Sequence, residues 1–248
     1  MGKRRGFQKR QPVSIFMIQP VIKVIIPAFN EEKAIVNVIN EIPKIVTEII
    51  VIDNNSSDQT SKVSKEAGAT VLFEERKGYG YACLKGMDYI KNQNENPDII
   101  VFLDGDYSDY PDELLKIIAP IVNDNIDFVI GSRVNRLREK GAMTPQQVFG
   151  NWLATFLMKI LFKAKFSDLG PFRAIKYEKL VALQMEDKTY GWTVEMQLKA
   201  LKQKLTYTEV PVRYKNRIGI SKVSGTVKGT IMAGVKIIGW ILKYTFKK

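Results

Sequence analysis

The chain has 248 residues, 45% of them hydrophobic, which is enough for one sizeable α/β domain and too few for two large ones. It contains no histidine and a single cysteine, Cys83, which excludes a Ser-His-Asp triad, a Cys-His pair, a Cys/His zinc site and an intrachain disulfide. A net charge of +12 predicts an anionic partner without choosing between nucleic acid, phosphorylated lipid and acidic membrane surface.

Residues 1–20 read as a basic N-terminal tail. From Val21 short β-branched runs alternate with amphipathic stretches, the rhythm of βαβ units and a mainly parallel sheet flanked by helices. Strands are expected at 21–27, 47–53, 70–73, 98–103 and 126–131, and their nearly continuous apolar runs suit strands covered on both faces. Ligands of open α/β sheets bind beyond the carboxyl ends of the strands, which places Asn30 to Glu32, Asp53 to Asp58 and Asp104 to Asp109 along one rim.

After Arg133 the pattern changes. Asn135 to Thr144 reads as a mobile loop, an acceptor-side lid, before a helix opened at Thr144 with Pro145 in its first turn and running through Trp152 to Lys163. A strand near Phe172 to Ile175, a helix near Val194 to Lys202, a strand near Leu205 to Val210 and a long final helix complete the chain. The domain is expected over 21–223, with 224–248 an amphipathic helix suited to a membrane interface. There Lys228, Lys236 and Lys243 fall within about 80° on a wheel of 3.6 residues per turn, and Trp240 and Tyr244 read as interface anchors. Lys159 and Lys163 repeat the design in the earlier helix. No run of eighteen or more apolar residues occurs, so the expectation is a protein without a spanning helix, peripheral on the cytoplasmic face of a membrane.

The sharpest chemical signal is VFLDGDYSDYP. Asp104 and Asp106 stand two apart just past a buried strand, so their side chains point the same way in extended geometry. Two carboxylates there repel unless a cation or an arginine compensates, and hard carboxylate oxygens suit Mg²⁺ or Mn²⁺ bridging phosphate oxygens. Gly105 between them is read as leaving room for a diphosphate. Asp112 and Glu113 look like an ordinary helix start. In NRIGISKVSG, Arg217, Ser221 and Lys222 combine a bidentate donor, a hydroxyl and a point charge useful for wrapping an anion. Taken alone, that segment also reads as a solvated basic loop. Arg173 between Phe172 and Ala174 calls for a specific partner, because short apolar strands seldom hold an arginine.

Five motifs in order, VIIPAFNEE, VIDNNSSDQT, RKGYGYA, FLDGDYSDYP and GSR, resemble the family 2 glycosyltransferases of GT-A fold. DLGPFRAIKYEKL, YGWTVEMQLKA and EVPVRYKNRIGISKVSG resemble, more narrowly, the dolichol-phosphate-mannose and dolichol-phosphate-glucose synthase group. The resemblance spans about residues 21–226. It implies a single GT-A domain and an inverting, Mg²⁺- or Mn²⁺-dependent hexosyltransferase. The implied donor is a nucleotide sugar, GDP-mannose or UDP-glucose, and the implied acceptor is a polyprenyl phosphate. Residue by residue, it implies that Pro27, Phe29, Glu31 and Asp53 line the nucleoside pocket with Lys77 and Gly78 near it. Asp104 and Asp106 would hold the metal with Ser108 near it, and Arg133, Arg173, Arg217, Ser221 and Lys222 would face donor and acceptor phosphates. The second motif departs from the family form: Asn54 stands where an acid is commoner.

Glu195 separates two acceptor classes. It stands where many relatives carry the base that a hydroxyl acceptor needs, whereas a phosphate monoester, largely ionised near neutral pH, attacks directly. The reading taken is a phosphate acceptor with Glu195 orienting the site. The alternatives are transfer to a hydroxyl of a glycan or lipid and, in another class, a nucleic-acid-binding or membrane scaffold protein. The acidic strand-end rim and the lack of a nucleic-acid-binding motif argue against nucleic acid.

Overall fold

The computed structural model describes residues 19–219 and 227–246. Seven strands form one sheet: β1 (Ile22–Ala28), β2 (Glu48–Asp53), β3 (Thr70–Phe73), β4 (Ile99–Phe102), β5 (Phe128–Ser132), β6 (Arg173–Lys176) and β7 (Tyr207–Pro211), in the spatial order β3-β2-β1-β4-β6-β5-β7. Neighbours are parallel except at β6, which runs antiparallel to both β4 and β5. The sheet is therefore mainly parallel, as expected. The insertion of β6 between β4 and β5 was not anticipated.

Among the described residues the α-helices are α1 (Ile35–Glu41), α2 (Thr60–Glu66), α3 (Tyr79–Lys91), α4 (Leu114–Asp124), α5 (Pro145–Phe162), α6 (Tyr177–Leu183), α7 (Trp192–Lys202) and α8 (Val227–Phe246). They cover both faces of the sheet. Alternate strand residues divide between two cores. Ile25, Ile50, Ile52, Ile100, Phe102 and Phe128 face one layer, built largely from α3, α5, α7 and α8. Val24, Ile26, Val51, Val101 and Val129 face the other, built from α1 and α4. Burial on both sides is why these strands read as unbroken apolar runs.

Thr144 opens α5 with a reciprocal cap: its hydroxyl accepts from the Gln147 N–H at 3.3 Å while the Gln147 side chain accepts from the Thr144 N–H at 2.8 Å. The capping box fixes where the helix starts. The preceding segment is less free than the sequence suggested. The Glu139 N–H donates to the Tyr214 carbonyl at 2.8 Å, and the Asn216 N–H donates to the Glu139 carboxylate at 2.9 Å.

Among the described residues no helix is long and apolar enough to cross a membrane. In α8 the two aromatic residues read as interface anchors lie on the core side. Trp240 and Tyr244 are buried against the core, and the exposed apolar side chains are Ile231, Met232, Val235, Leu242 and Phe246. Trp240 and Tyr244 are thus packing residues and not interface anchors. A helix apolar over most of its circumference gives a sequence pattern no means of telling the core side from the outer one.

Candidate active site

β1 lies between β2 and β4, and the chain leaves this centre in opposite directions, making a switch point at the carboxyl ends of the strands. A cleft of about 350 Å³ opens there, lined by Pro27 to Phe29, Glu31, Asn54, Lys77 to Tyr79, Asp104 to Asp106, Thr189, Tyr190 and Arg217. One wall pairs Phe29 with Lys77, whose ammonium sits 5.2 Å from the centre of the ring, a cation over an aromatic face. The floor is acidic.

Asp104 and Asp106 meet at this floor, as their spacing predicted. Burial, reinforced by the charge of Asp106, raises the Asp104 carboxyl to about 7, against the pull of the Tyr79 hydroxyl and of Arg217. The Tyr79 hydroxyl donates to Asp104 Oδ1 at 3.0 Å. Asp106 Oδ1 accepts from the Ser108 N–H at 2.9 Å and from its hydroxyl at 2.6 Å. Ser108 thus stands behind Asp106 and orients it, and it does not line the cleft.

Asp106 Oδ2 faces Arg217 Nη1 at 2.9 Å, and Arg217 Nη2 reaches Glu31 at 3.1 Å. The segment that carries Arg217 is laid over the acidic motif by backbone bonds, from the Lys215 N–H to the Ser108 carbonyl at 2.9 Å and from the Ile218 N–H to the Asp106 carbonyl at 3.0 Å. Ser221 and Lys222 lie outside the described residues.

Gly105 lines the cleft and also has a packing reason to be glycine. A Cβ there would meet Ile35 at 3.3 Å and the Pro27 carbonyl at 3.4 Å, so the glycine lets the strand ends close on α1. Gly78 and Gly80 are tighter still: a Cβ on either would lie 2.3 Å from the Lys188 carbonyl or 2.0 Å from that of Asp187. The start of α3 therefore fits only glycine against the loop that brings in Thr189 and Tyr190.

Asn54 explains its own departure from the family form. Its side-chain oxygen accepts from the Gly78 N–H at 2.8 Å, while its amide nitrogen donates to the carbonyls of Arg76 at 2.7 Å and Glu74 at 3.2 Å. An aspartate could make the first bond but not the other two. Asp53 sits just behind, its carboxylate accepting from the Ser56 N–H at 2.9 Å and the Ser61 hydroxyl at 2.6 Å. It braces the loop and does not line the cleft.

Three residues expected at phosphates or at the acceptor have other partners. Arg133 makes a two-pronged pair with Asp168, at 2.6 and 2.9 Å, and Asp168 also accepts from the Arg133 N–H at 2.7 Å. Arg173 is fully buried; it donates to the carbonyls of Leu169, Gly170 and Thr193, and burial lowers its guanidinium to about 10. The partner its sequence context called for is backbone, not phosphate.

Glu195 is also fully buried. Its oxygens accept from the N–H groups of Glu186 at 2.9 Å and Asp187 at 2.8 Å, and Lys199 pairs with it at 2.7 Å. It holds the loop before Thr189 and Tyr190 and does not point into the cleft.

Sequence reasoning gave no role to Asn54, Tyr79, Thr189 or Tyr190, although each lies within or beside a quoted motif. It placed Asp109 on the rim and at a helix start but gave it no part in the chemistry. Both carboxyl oxygens of Asp109 are buried without a hydrogen-bond partner, and burial, with Asp104 and Asp106 nearby, pushes it well above the ordinary carboxylate range. This favours the neutral acid.

Residues 23–182, well over half the chain, match the sequence profile of Glycosyl transferase family 2. The chain is a family 2 glycosyltransferase. The transferase is 32% identical over 219 residues to the UDP-N-acetylglucosamine--dolichyl-phosphate N-acetylglucosaminyltransferase of Methanococcus voltae, covering 79% of this chain and 86% of that relative. It is 29% identical over 209 residues to the dolichyl-phosphate hexose transferase of Haloferax volcanii, covering 82% of this chain and 86% of that relative. Among solved structures, the transferase superposes with a TM-score of 0.73 on glucosyl-3-phosphoglycerate synthase from Mycobacterium tuberculosis in complex with Mn²⁺, UDP and phosphoglyceric acid, over 92% of this chain and 80% of that one. At 20% identity this likeness concerns the fold, which is the GT-A fold expected from the motifs.

Proposed function

We propose that this transferase moves a sugar from a nucleotide diphosphate carrier to a polyprenyl phosphate at a membrane surface, with inversion at the sugar carbon and with Mg²⁺ or Mn²⁺ held by Asp104 and Asp106. The names of the two archaeal relatives support the lipid-phosphate acceptor. The nucleotide is read as lying along Pro27, Phe29 and Lys77, with its diphosphate over the acidic floor.

The residues present fit a divalent ion. Among the described residues no group of three or more Cys, Asp or Glu side chains converges to make a closed cage. A pair of carboxylates that leaves further positions to phosphate oxygens and solvent is the arrangement Mg²⁺ ordinarily takes. The ion would supply positive charge against the negative charge that grows on the departing diphosphate. Arg217 adds a fixed donor pair at the same place, and charge placed where it develops lowers the barrier more than it stabilises the ground state. The acceptor oxygen attacks the anomeric carbon as the bond to the diphosphate breaks, without a covalent enzyme intermediate.

The observation that carries the acceptor assignment is the burial of Glu195. The side chain standing where a hydroxyl acceptor would need a base is sealed under the loop with both oxygens occupied. An ionised phosphate needs no such base. The membrane assignment rests on exposed apolar side chains of two helices packed together. Phe149, Trp152, Phe156 and Ile160 of α5 are exposed along one stripe, with the Trp152 and Phe156 rings stacked at 5.4 Å. α8, packed beside α5, exposes its own apolar row.

The test is transfer of label from UDP-N-acetylglucosamine, UDP-glucose or GDP-mannose, with Mg²⁺, to polyprenyl phosphate, read as radioactivity in the organic phase. Polyprenyl phosphate should be labelled and the free polyprenol should not. Labelling of the alcohol alone would reverse the acceptor assignment. Co-sedimentation with anionic vesicles that weakens with salt is expected of the surface contact, and absence of vesicle binding would remove it.

A further inference from the structure

The loop between α6 and α7 supplies Thr189 and Tyr190 to the cleft wall, and its conformation is fixed from two sides. From the cleft side, the Tyr81 N–H donates to the Lys188 carbonyl at 3.1 Å, and Gly78 and Gly80 abut the loop backbone. From the far side the control point is Asp187. One of its carboxylate oxygens accepts from the N–H groups of Thr189 at 2.7 Å and Gly191 at 3.0 Å, closing the turn. The other accepts from the Trp240 indole N–H at 2.6 Å and faces the Lys236 ammonium at 3.2 Å. Both Trp240 and Lys236 belong to α8.

Trp240 and Asp187 are each more than nine-tenths buried. A Cβ added at Gly191 would sit 2.3 Å from the indole nitrogen, so the C-terminal helix touches the base of the turn directly. No other role described above requires a buried carboxylate to be matched by an indole N–H and an ammonium from one helix.

We propose that Trp240 is a positioning residue for the cleft, acting through Asp187 to set the loop that carries Thr189 and Tyr190. The inference rests on the reading of the cleft as the nucleotide-sugar site. Its physical content is that a hydrogen bond to a buried charged acceptor orders the turn before the donor arrives. The ordering cost is then not taken from donor binding. When that bond is lost the turn samples other conformations, and the donor must select the competent one, so apparent affinity falls by the fraction of molecules that remain competent.

The test uses the full chain and compares wild type, Trp240→Phe, Asp187→Asn, the double variant, Asp106→Ala and Ile39→Val. The last thins the opposite core without touching the loop and reports what lost stability does alone. For each, thermal unfolding is measured together with the affinity for UDP and for GDP in the presence of Mn²⁺, and with donor KM and kcat. Trp240→Phe is expected to weaken nucleotide binding and raise donor KM about tenfold while kcat stays within about twofold. The double variant should lose no more than Asp187→Asn. A purely structural role would lower the active fraction, and hence kcat, with KM unmoved, as expected for Ile39→Val.

If Trp240→Phe does not fold, Lys236→Met removes a half-exposed contact at the same carboxylate and carries the test, with an expected rise of about threefold. Nucleotide binding that depends on Asp106 but ignores these substitutions overturns the inference alone. Equal binding by wild type and Asp106→Ala overturns the reading of the cleft, and this inference with it.

Discussion

Arg217 lies across the acidic floor of the cleft, its guanidinium 2.9 Å from Asp106 and 3.1 Å from Glu31. A side chain far along the sequence thus neutralises the strand-end carboxylates in the absence of donor. The same fork that holds Asp106 is shaped to take phosphate oxygens. Under the proposed function, donor binding would exchange carboxylate partners for phosphate ones, with little new ordering of the arginine.

Arg217→Ala should consequently move two affinities in opposite directions. Donor KM is expected to rise roughly ten- to hundredfold, the worth of one charge-assisted pair. Binding of Mn²⁺ alone should tighten, because a competing cation has been removed from Asp106. Calorimetric titrations with Mn²⁺ alone and with Mn²⁺ plus nucleotide check both signs. Weakening of both would mean that Arg217 supports the fold of the floor instead of competing for it.

The raised carboxyl of Asp104 gives a pH dependence of definite sign. With its midpoint at about 7, the group is mostly protonated at pH 6 and mostly ionised at pH 8, and only the ionised form binds a cation. Mn²⁺ affinity should rise roughly tenfold between those values. In metal-free protein the folded state keeps a proton that the unfolded chain releases above about pH 4. This group's contribution to stability should therefore decline as pH rises from about 4 to 7. Asp106→Asn removes the neighbouring charge and should shift the stability dependence of metal-free protein to lower pH, read by urea unfolding. Mn²⁺ titrations of wild type at constant ionic strength check the affinity, and a flat profile would contradict it.

The Arg133–Asp168 pair is expected to be a stability element. Burial alone would raise the Asp168 carboxyl, but the charge and hydrogen bonds of Arg133 outweigh it and hold the group below the ordinary range. Asp168→Ala leaves a buried guanidinium uncompensated and should cost about 3–5 kcal/mol. For a depressed carboxyl the stabilisation is present above about pH 4 and disappears as pH falls through the lower, folded-state value. Urea unfolding of both proteins should show a difference at pH 7 that shrinks toward pH 3.

The parts legible in the sequence are those where local pattern and burial agree. The runs from Ile22, Glu48 and Ile99 are apolar on both faces because both faces are covered. Asp104 and Asp106 stood out because two acids at the end of such a run have no structural use without a counter-charge. Thr144 and Pro145 marked the start of α5, and the structure adds the reciprocal cap with Gln147. What was not legible depends on contacts distant in the chain. Nothing within Arg173–Lys176 says that it runs antiparallel between β4 and β5. The context of Arg173 demanded a partner but could not say whether it was phosphate or three carbonyls. Glu195 carries the residue type of a base, and only the fold reveals that its oxygens hold the backbone of Glu186 and Asp187. The turn anchored by Trp240 joins residues more than fifty positions apart.

The most direct test of the account is a Mn²⁺ titration followed by electron paramagnetic resonance, with and without UDP or GDP, on wild type and Asp106→Ala. Wild type should take up a stoichiometric equivalent of Mn²⁺ whose affinity increases when nucleotide is present, and Asp106→Ala should lose that coupled binding. Mn²⁺ and nucleotide bound together as tightly by Asp106→Ala as by wild type would contradict the claim that the paired aspartates hold a divalent ion against the donor's diphosphate.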